Sequence, residues 1–488
     1  MNEPYRPSPL PFDTEKRELI FGILLVVCCL FTVNCTLYGG PNLGFAIGVV
    51  LSITLSFGYL LARGRKITGY SLALLLLCVV IAAGFARSDD GFVKFVLLLF
   101  LFVGINLGLS LMAGQNRFSP NGLRSVGDSF FTVFGIGLGK LTPAFQGVVH
   151  AFRHSGKLGQ NTIAILLGVC IAFPILLIVI PLLISADAAF DGLISLLPSF
   201  DLSELLVTII VGGCLFCLLY TRTTGLVHSE PSPNRAKTES RGLSPLTVGT
   251  VLGAVCVVYL AYLLSQLAYL SGGFSGLLPE EYTLAEYARR GFFEMAALSV
   301  INLGIITLCL AIVKKDSAVP RVLRILCLFL GLASLFLIAA ASAKMFLYIN
   351  SYGLTQLRLL TQIIMLFMAI ATVTVTVWLF VPKLPYMKVI VLAALVIGAL
   401  VIWVDVDHTV AAYNVEAYLS GQLKSVDVYH LGQLGSSAIP HIFRLTQEAQ
   451  DPNVVQAAKD ILDRTALSQE GFRSWNWAVS QALKYLPE

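Results

Sequence analysis

The sequence predicts an all-α fold: a polytopic membrane helix bundle of about eleven transmembrane helices, N-terminus inside and C-terminus outside, with a small helical domain after the last span. Three observations carry this reading. Of 488 residues, 57% are hydrophobic and only 12% charged, about half the roughly 25% charge of a soluble domain. Apolar runs of roughly 18 to 24 residues recur along the chain, each long enough for a hydrocarbon core of about 30 Å, where only helices satisfy their own backbone. The basic residues are segregated: 21 of the 33 Lys and Arg fall on alternate, cytoplasm-assigned segments, and six on the opposite loops and span ends. That bias sets orientation, so the net charge of +5 reports topology and anionic lipid rather than nucleic acid.

Taken in order, residues 1–18 form a cytoplasmic tail with Pro4, Pro7, Pro9 and Pro11 among charges, a composition that does not pack. Spans follow at 19–38, 43–62, 69–86 and 92–114. The first lacks a small-residue cleavage site and is followed closely by another span, so it reads as an anchor. Residues 115–160 alternate Arg and Lys with Phe and Val, as helices lying in the membrane interface do. The span at 161–184 carries Pro174 and Pro181, which kink it. Further spans lie at 203–221, 246–270, 292–313, 325–349, 359–381 and 387–404. Residues 405–488 form an extracytoplasmic helical domain. Its stretch LGQLGSSAIPHIFRLTQEAQDPNVVQAAKDILDR has short amphipathic helices split by Gly435, Pro440 and Pro452. It is HEAT-like in part, although one unit is too few for a solenoid.

Three local motifs are set aside. Cys214 and Cys217 make a CxxC without a second pair or a nearby histidine, so packing is the better reading. His150 and His154 stand four apart beside Arg153, which favours a basic interfacial face over a metal site. GIGLGK at Gly135–Lys140 has Phe where a phosphate loop needs its first Gly, and Leu141 where it needs Ser or Thr.

The candidate site centres on KMFLYINSYGLTQLR, Lys344 to Arg358. It closes one span, turns at Gly353 and opens the next, with Lys344 inside the apolar part. An ionisable group within a span is costly and marks function by default. In EEYTLAEYARRGFFE, Glu286, Arg290, Glu294, Leu298 and Asn302 fall on one slowly drifting helix face. Glu286 to Arg290 has the favoured order for a helical ion pair. Glu294 and Lys344 lie at similar depth, roughly 5 and 8 Å below their span ends at 1.5 Å per residue, and are expected to pair. After the last span, Asp405, Asp407 and His408 offer a DxD. On a continuous helix only Asp405 and His408 share a face, so no metal or cofactor site is assigned.

EYARRGFFE, YGLTQLR, the D-x-x-x-A-x-YN run from Asp407 to Asn414 and RSWN at Arg473 to Asn476 together resemble a family of bacterial membrane proteins. It is the domain of unknown function four-one-seven-three, close to the four-one-five-three group. The resemblance spans roughly residues 180–480, and the first four spans contribute little to it. It implies a polytopic bacterial inner-membrane protein and no activity. It also marks Glu286, Arg289, Glu294, Tyr352, Arg358, Tyr413 and Asn414. Arg290, Asn302, Lys344, Tyr348, Asp405, Asp407 and His408 complete the expected polar cluster.

The first functional reading is an envelope interaction or sensory protein with an outward charged site. The alternative is a transporter or flippase, and the third is a transferase acting on a lipid-linked substrate. The expected partners are the lipid bilayer and a protein met through the C-terminal domain. No nucleic acid is expected.

Overall fold

The computed structural model describes residues 16–115, 122, 125–140, 179, 202–228, 243–274, 292–312, 320–469 and 471–486. The span expected at 161–184 and the histidines at 150 and 154 lie outside the described residues. Among the described residues ten long helices run back and forth: α1 (Lys16–Gly39), α2 (Leu43–Ala62), α3 (Gly69–Gly84), α4 (Gly91–Ala113), α6 (Leu202–His228), α7 (Pro245–Phe274), α8 (Phe292–Ile312), α9 (Arg321–Tyr352), α10 (Gln356–Phe380) and α11 (Tyr386–Val404). Between α4 and α6 lies α5 (Ser125–Phe130), which continues as a π-helical turn, Phe131–Gly137. Each of the ten sits over one of the expected runs. Eight are long and apolar enough to cross a membrane, and α3 and an apolar stretch of α8 are shorter. The chain is a multi-pass membrane protein.

The bundle has two lobes. In one, α1 packs on α2 and α6, and α3 on α2 and α4; in the other, α9 packs on α7, α8 and α10. Helix α11 joins them by packing on α3, α4 and α10. With no hydrophobic drive between helices in lipid, close approach of small residues has to hold such a seam. A Cβ on Gly398 of α11 would stand 2.8 Å from Leu97 and Phe100 of α4, and one on Gly104 would overlap Cys78 of α3. Outward faces stay apolar, as at Leu246, Val257, Val258 and Leu264. Cys214 and Cys217 are also exposed, so they face outward on α6 and do not pack the core.

Beyond α11 come α12 (Val406–Leu419), α13 (Val428–Gln433), a 3-10 turn (Ser436–Ala438), α14 (Ile439–Glu448), α15 (Pro452–Arg464) and α16 (Trp477–Ala482). Pro440 and Pro452 sit in the first turns of α14 and α15, where a missing N–H costs nothing. This terminal unit lies against one end of the bundle, called here the seated end. Its ties are main-chain as well as side-chain. Trp477 and Ala478 donate N–H groups to the carbonyls of Ala86 and Arg87, at 2.8 and 3.1 Å. The Leu43 N–H reaches Trp475 O at 3.1 Å.

Candidate functional site

The last span and α12 meet at Asp405, whose φ of 65° makes it the only positive-φ non-glycine among the described residues. Aspartate tolerates this region better than most side chains. The break answers the DxD question: the helix does not continue. Asp405 caps α12, accepting the His408 N–H at 3.3 Å on one oxygen and the Ser437 hydroxyl at 2.6 Å on the other. Asp407 turns elsewhere, accepting Gln356 Nε2 and, at 3.0 Å, the Gly435 N–H.

A third carboxylate joins from the α3–α4 connection. Asp89 Oδ2 accepts the Ser436 N–H at 2.9 Å and its hydroxyl at 2.5 Å, while its Oδ1 is buried without a partner. Thus Asp89, Asp405 and Asp407 hold one short turn, Gly435–Ser437. A Cβ on Gly435 would press on both Asp89 and Asp407, so a larger residue there would displace one of the two carboxylates.

The surroundings are short of cations. Lys94, 4% exposed, donates to Asn42 Oδ1 at 2.8 Å and feels the charges of Asp89, Asp90 and Asp405. Burial pushes the Asp405 carboxyl up. Burial also pushes Asp407 up to about 6, against the Gln356 hydrogen bond and with help from Asp90. At the rim, His441 Nε2 and His408 Nδ1 lie 3.1 Å apart. Burial, then His408 and Arg444, pull His441 down to about 4. Among the described residues, no three His, Cys, Asp or Glu side chains converge as metal ligands.

The turn singled out from sequence is gripped by α12. Gly353 closes α9 with φ 79°, a conformation that favours glycine. Asn414 takes the Leu354 N–H at 2.8 Å and donates to the Leu354 carbonyl at 2.7 Å. Arg358 donates to the carbonyls of Tyr352 and Gly353 and lies 4.1 Å from the Tyr348 ring centre. Tyr348 and Tyr352 contact each other at 5.2 Å. Tyr413 reaches Asn350 at 3.4 Å. Tyr348, Tyr352, Arg358, Asp407, Tyr413 and Asn414 therefore surround one turn.

Of the rest of the expected cluster, Lys344 lies one helical turn before Tyr348 on α9. Glu286, Arg289 and Arg290 lie outside the described residues. Glu294 is exposed in the first turn of α8, and its charge acts on Lys344 of α9 and on Tyr262 of α7. Asn302 is fully buried further along α8, facing the Tyr259 hydroxyl of α7.

Sequence reasoning missed three groups. Asp89 and Lys94 read as an ordinary loop and span end. Arg222 falls just past the span expected to end at 221, but the helix runs on: α6 ends at His228, and Arg222 is 4% exposed. The helix persists because Thr221, Thr223 and Thr224 each return their hydroxyl to the carbonyl four residues back, at 2.7, 2.8 and 2.7 Å. That local bonding lets a polar TRTT run stay helical inside a bundle.

The family model described as Domain of unknown function (DUF4153) matches residues 19–445. The chain belongs to this DUF4153 family. The assignment corrects the resemblance drawn from motifs, which pointed to the four-one-seven-three group. It also corrects its extent: the match takes in the first four helices and ends within α14, leaving RSWN outside. No curated protein and no solved structure matches the chain.

Proposed function

We propose that this DUF4153 protein is an envelope interaction or sensory protein of a bacterial cytoplasmic membrane. In this reading the seated end faces outward, and its moving part is the terminal helical unit. The positive-inside count supports that orientation, and it survives moving Arg222 into the bundle. The observation that carries the reading is the triple hold of Asp89, Asp405 and Asp407 on Gly435–Ser437. Helix α12, which follows α11 after the break at Asp405, grips the α9–α10 turn through Asn414 and holds the Gly435 turn through Asp407. A partner or ligand that shifts the terminal unit would therefore pull on several spans at once.

The transporter reading draws on Lys344 and Glu294 near the same end. The transferase reading loses support, since Asp405 and Asp407 are engaged in holding main chain and hydroxyls. Fluorophores at the exposed positions Lys459 and Leu37 test the sensory reading by energy transfer in single nanodiscs. Two distances are expected, with the longer one enriched in an Asp89→Asn, Asp407→Asn double variant. One unchanging distance in both proteins would sink it.

A further inference from the structure

Arg222 is a buried cation, 4% exposed, inside a membrane-spanning helix. It lies six residues before the end of α6, about 9 Å along the helix. Its neighbours come from equivalent depth: Ser56 is six residues from the end of α2, and Asn106 seven from the end of α4. Nη1 donates to Asn106 Oδ1 at 3.1 Å, and Nη2 to Ser56 Oγ at 3.3 Å and Thr223 Oγ1 at 3.5 Å. All of these acceptors are neutral. Nε is buried with no partner, and among the described residues no carboxylate pairs with the guanidinium.

A charged arginine inside a span costs several kcal/mol unless something compensates it. Neutral oxygens orient the guanidinium but leave its charge in place. The fixed, planar group keeps its Nε–H unspent, a charge-assisted donor suited to an oxyanion. The wall beside it is the π-helical turn, where Gly137 places only hydrogen toward Arg222; a Cβ there would stand 3.6 Å from the Arg222 Cβ. Such turns recur at functional sites because their hydrogen bonding is easily rearranged. Arg65 closes the bundle end below by donating to the last carbonyls of α4 and α6, Ala113 at 3.0 Å and Val227.

We propose that Arg222, with Asn106, Ser56 and Thr223, forms an intramembrane binding site for a phosphate-type oxyanion. The oxyanion enters between α2, α4 and α6 from the end of the bundle opposite the terminal unit. The phosphodiester of a lipid headgroup and a free oxyanion share this chemistry. At about 9 Å from the helix end the site lies within reach of a headgroup drawn in from the interfacial zone.

The test uses the full chain in detergent, as wild type, Arg222→Gln and Arg222→Lys. Native mass spectrometry measures retention of phosphatidylglycerol against phosphatidylcholine. Thermal unfolding is followed with inorganic phosphate against chloride at constant ionic strength. One anion at least should bind wild type saturably, and at least about tenfold more weakly in Arg222→Gln, as loss of a charge-assisted bond of roughly 1.5–3 kcal/mol requires. Arg222→Lys, which keeps the charge without the fork, should fall between them and covers the case where the Gln variant fails to fold. Retention of phosphatidylglycerol alone assigns the site to a headgroup, and a response to phosphate assigns it to a free oxyanion. Equal anion binding in wild type and either variant overturns the proposal.

Discussion

The two ends of the bundle treat buried carboxylates in opposite ways. At the end away from the terminal unit, Glu18 is 3% exposed but meets Arg63 and, at 2.9 Å, His228, with the Tyr59 hydroxyl donating at 3.1 Å. Burial pushes its carboxyl up, but His228, Tyr59 and Arg63 outweigh that and hold it below the usual range. At the seated end Asp89, Asp405 and Asp407 meet main-chain N–H groups, hydroxyls and an amide, with Lys94 the nearby cation. Burial therefore wins there, and Asp405 and Asp407 are pushed up. A carboxylate compensated by cations behaves as a fixed strut. One compensated by neutral donors is a joint whose strength depends on protonation.

The largest effect that would sharpen this contrast is at Asp407. Asp407→Ala leaves the Gly435 N–H and the Gln356 amide without their acceptor, at about 1–3 kcal/mol each. Amide exchange across 435–438 should rise steeply while α1 and α2 stay protected. Asn414→Ala removes both bonds to Leu354, for about 2 kcal/mol, read as faster exchange at 353–355. At the opposite end, Glu18→Gln removes the charge that Glu18 presents to Arg63 and His228, for about 1.5–3 kcal/mol. Thermal unfolding should show the loss without any change in exchange at 435–438.

A smaller effect is the pH profile of the seat. Asp407 titrates at about 6 in the fold, above its unfolded value near 4. Its contribution is complete below about pH 4 and is lost as pH rises through 6. His441 titrates at about 4, below its unfolded value near 6.5. Its contribution is complete above about pH 6.5 and is lost as pH falls through 4. The two oppose each other across the same window. Relative to wild type, Asp407→Asn should make protection of 435–438 gain more between pH 5 and 7, and His441→Gln should make it gain less. Matching profiles in all three would break the comparison. The smallest effect is at Arg444, whose bonds to Glu416 and Glu448 are exposed; Arg444→Ala should leave the unfolding temperature unchanged, because water screens such pairs.

The long helices were legible because an apolar run of about twenty residues has one stable form in lipid. The Gly353 turn was legible because a glycine between two such runs marks where the chain reverses. Asp89 was not, because its role depends on Ser436, 347 positions away. Arg222 was not either, because a TRTT run at the end of an apolar stretch reads as the start of a loop. Only hydroxyls returning to their own helix show otherwise. The break at Asp405 follows from a backbone angle that no residue pattern dictates.

Coupling between the terminal unit and the spans is read most directly by amide exchange at Leu354 in nanodisc-embedded protein carrying Ser436→Ala and Ser437→Ala. Those changes remove hydroxyl bonds to Asp89 and Asp405 and leave every contact of Leu354 in place. Exchange at 353–355 is expected to quicken together with exchange at 435–437. If 435–437 loosens while Leu354 keeps its wild-type protection, α12 does not link them and the account is contradicted.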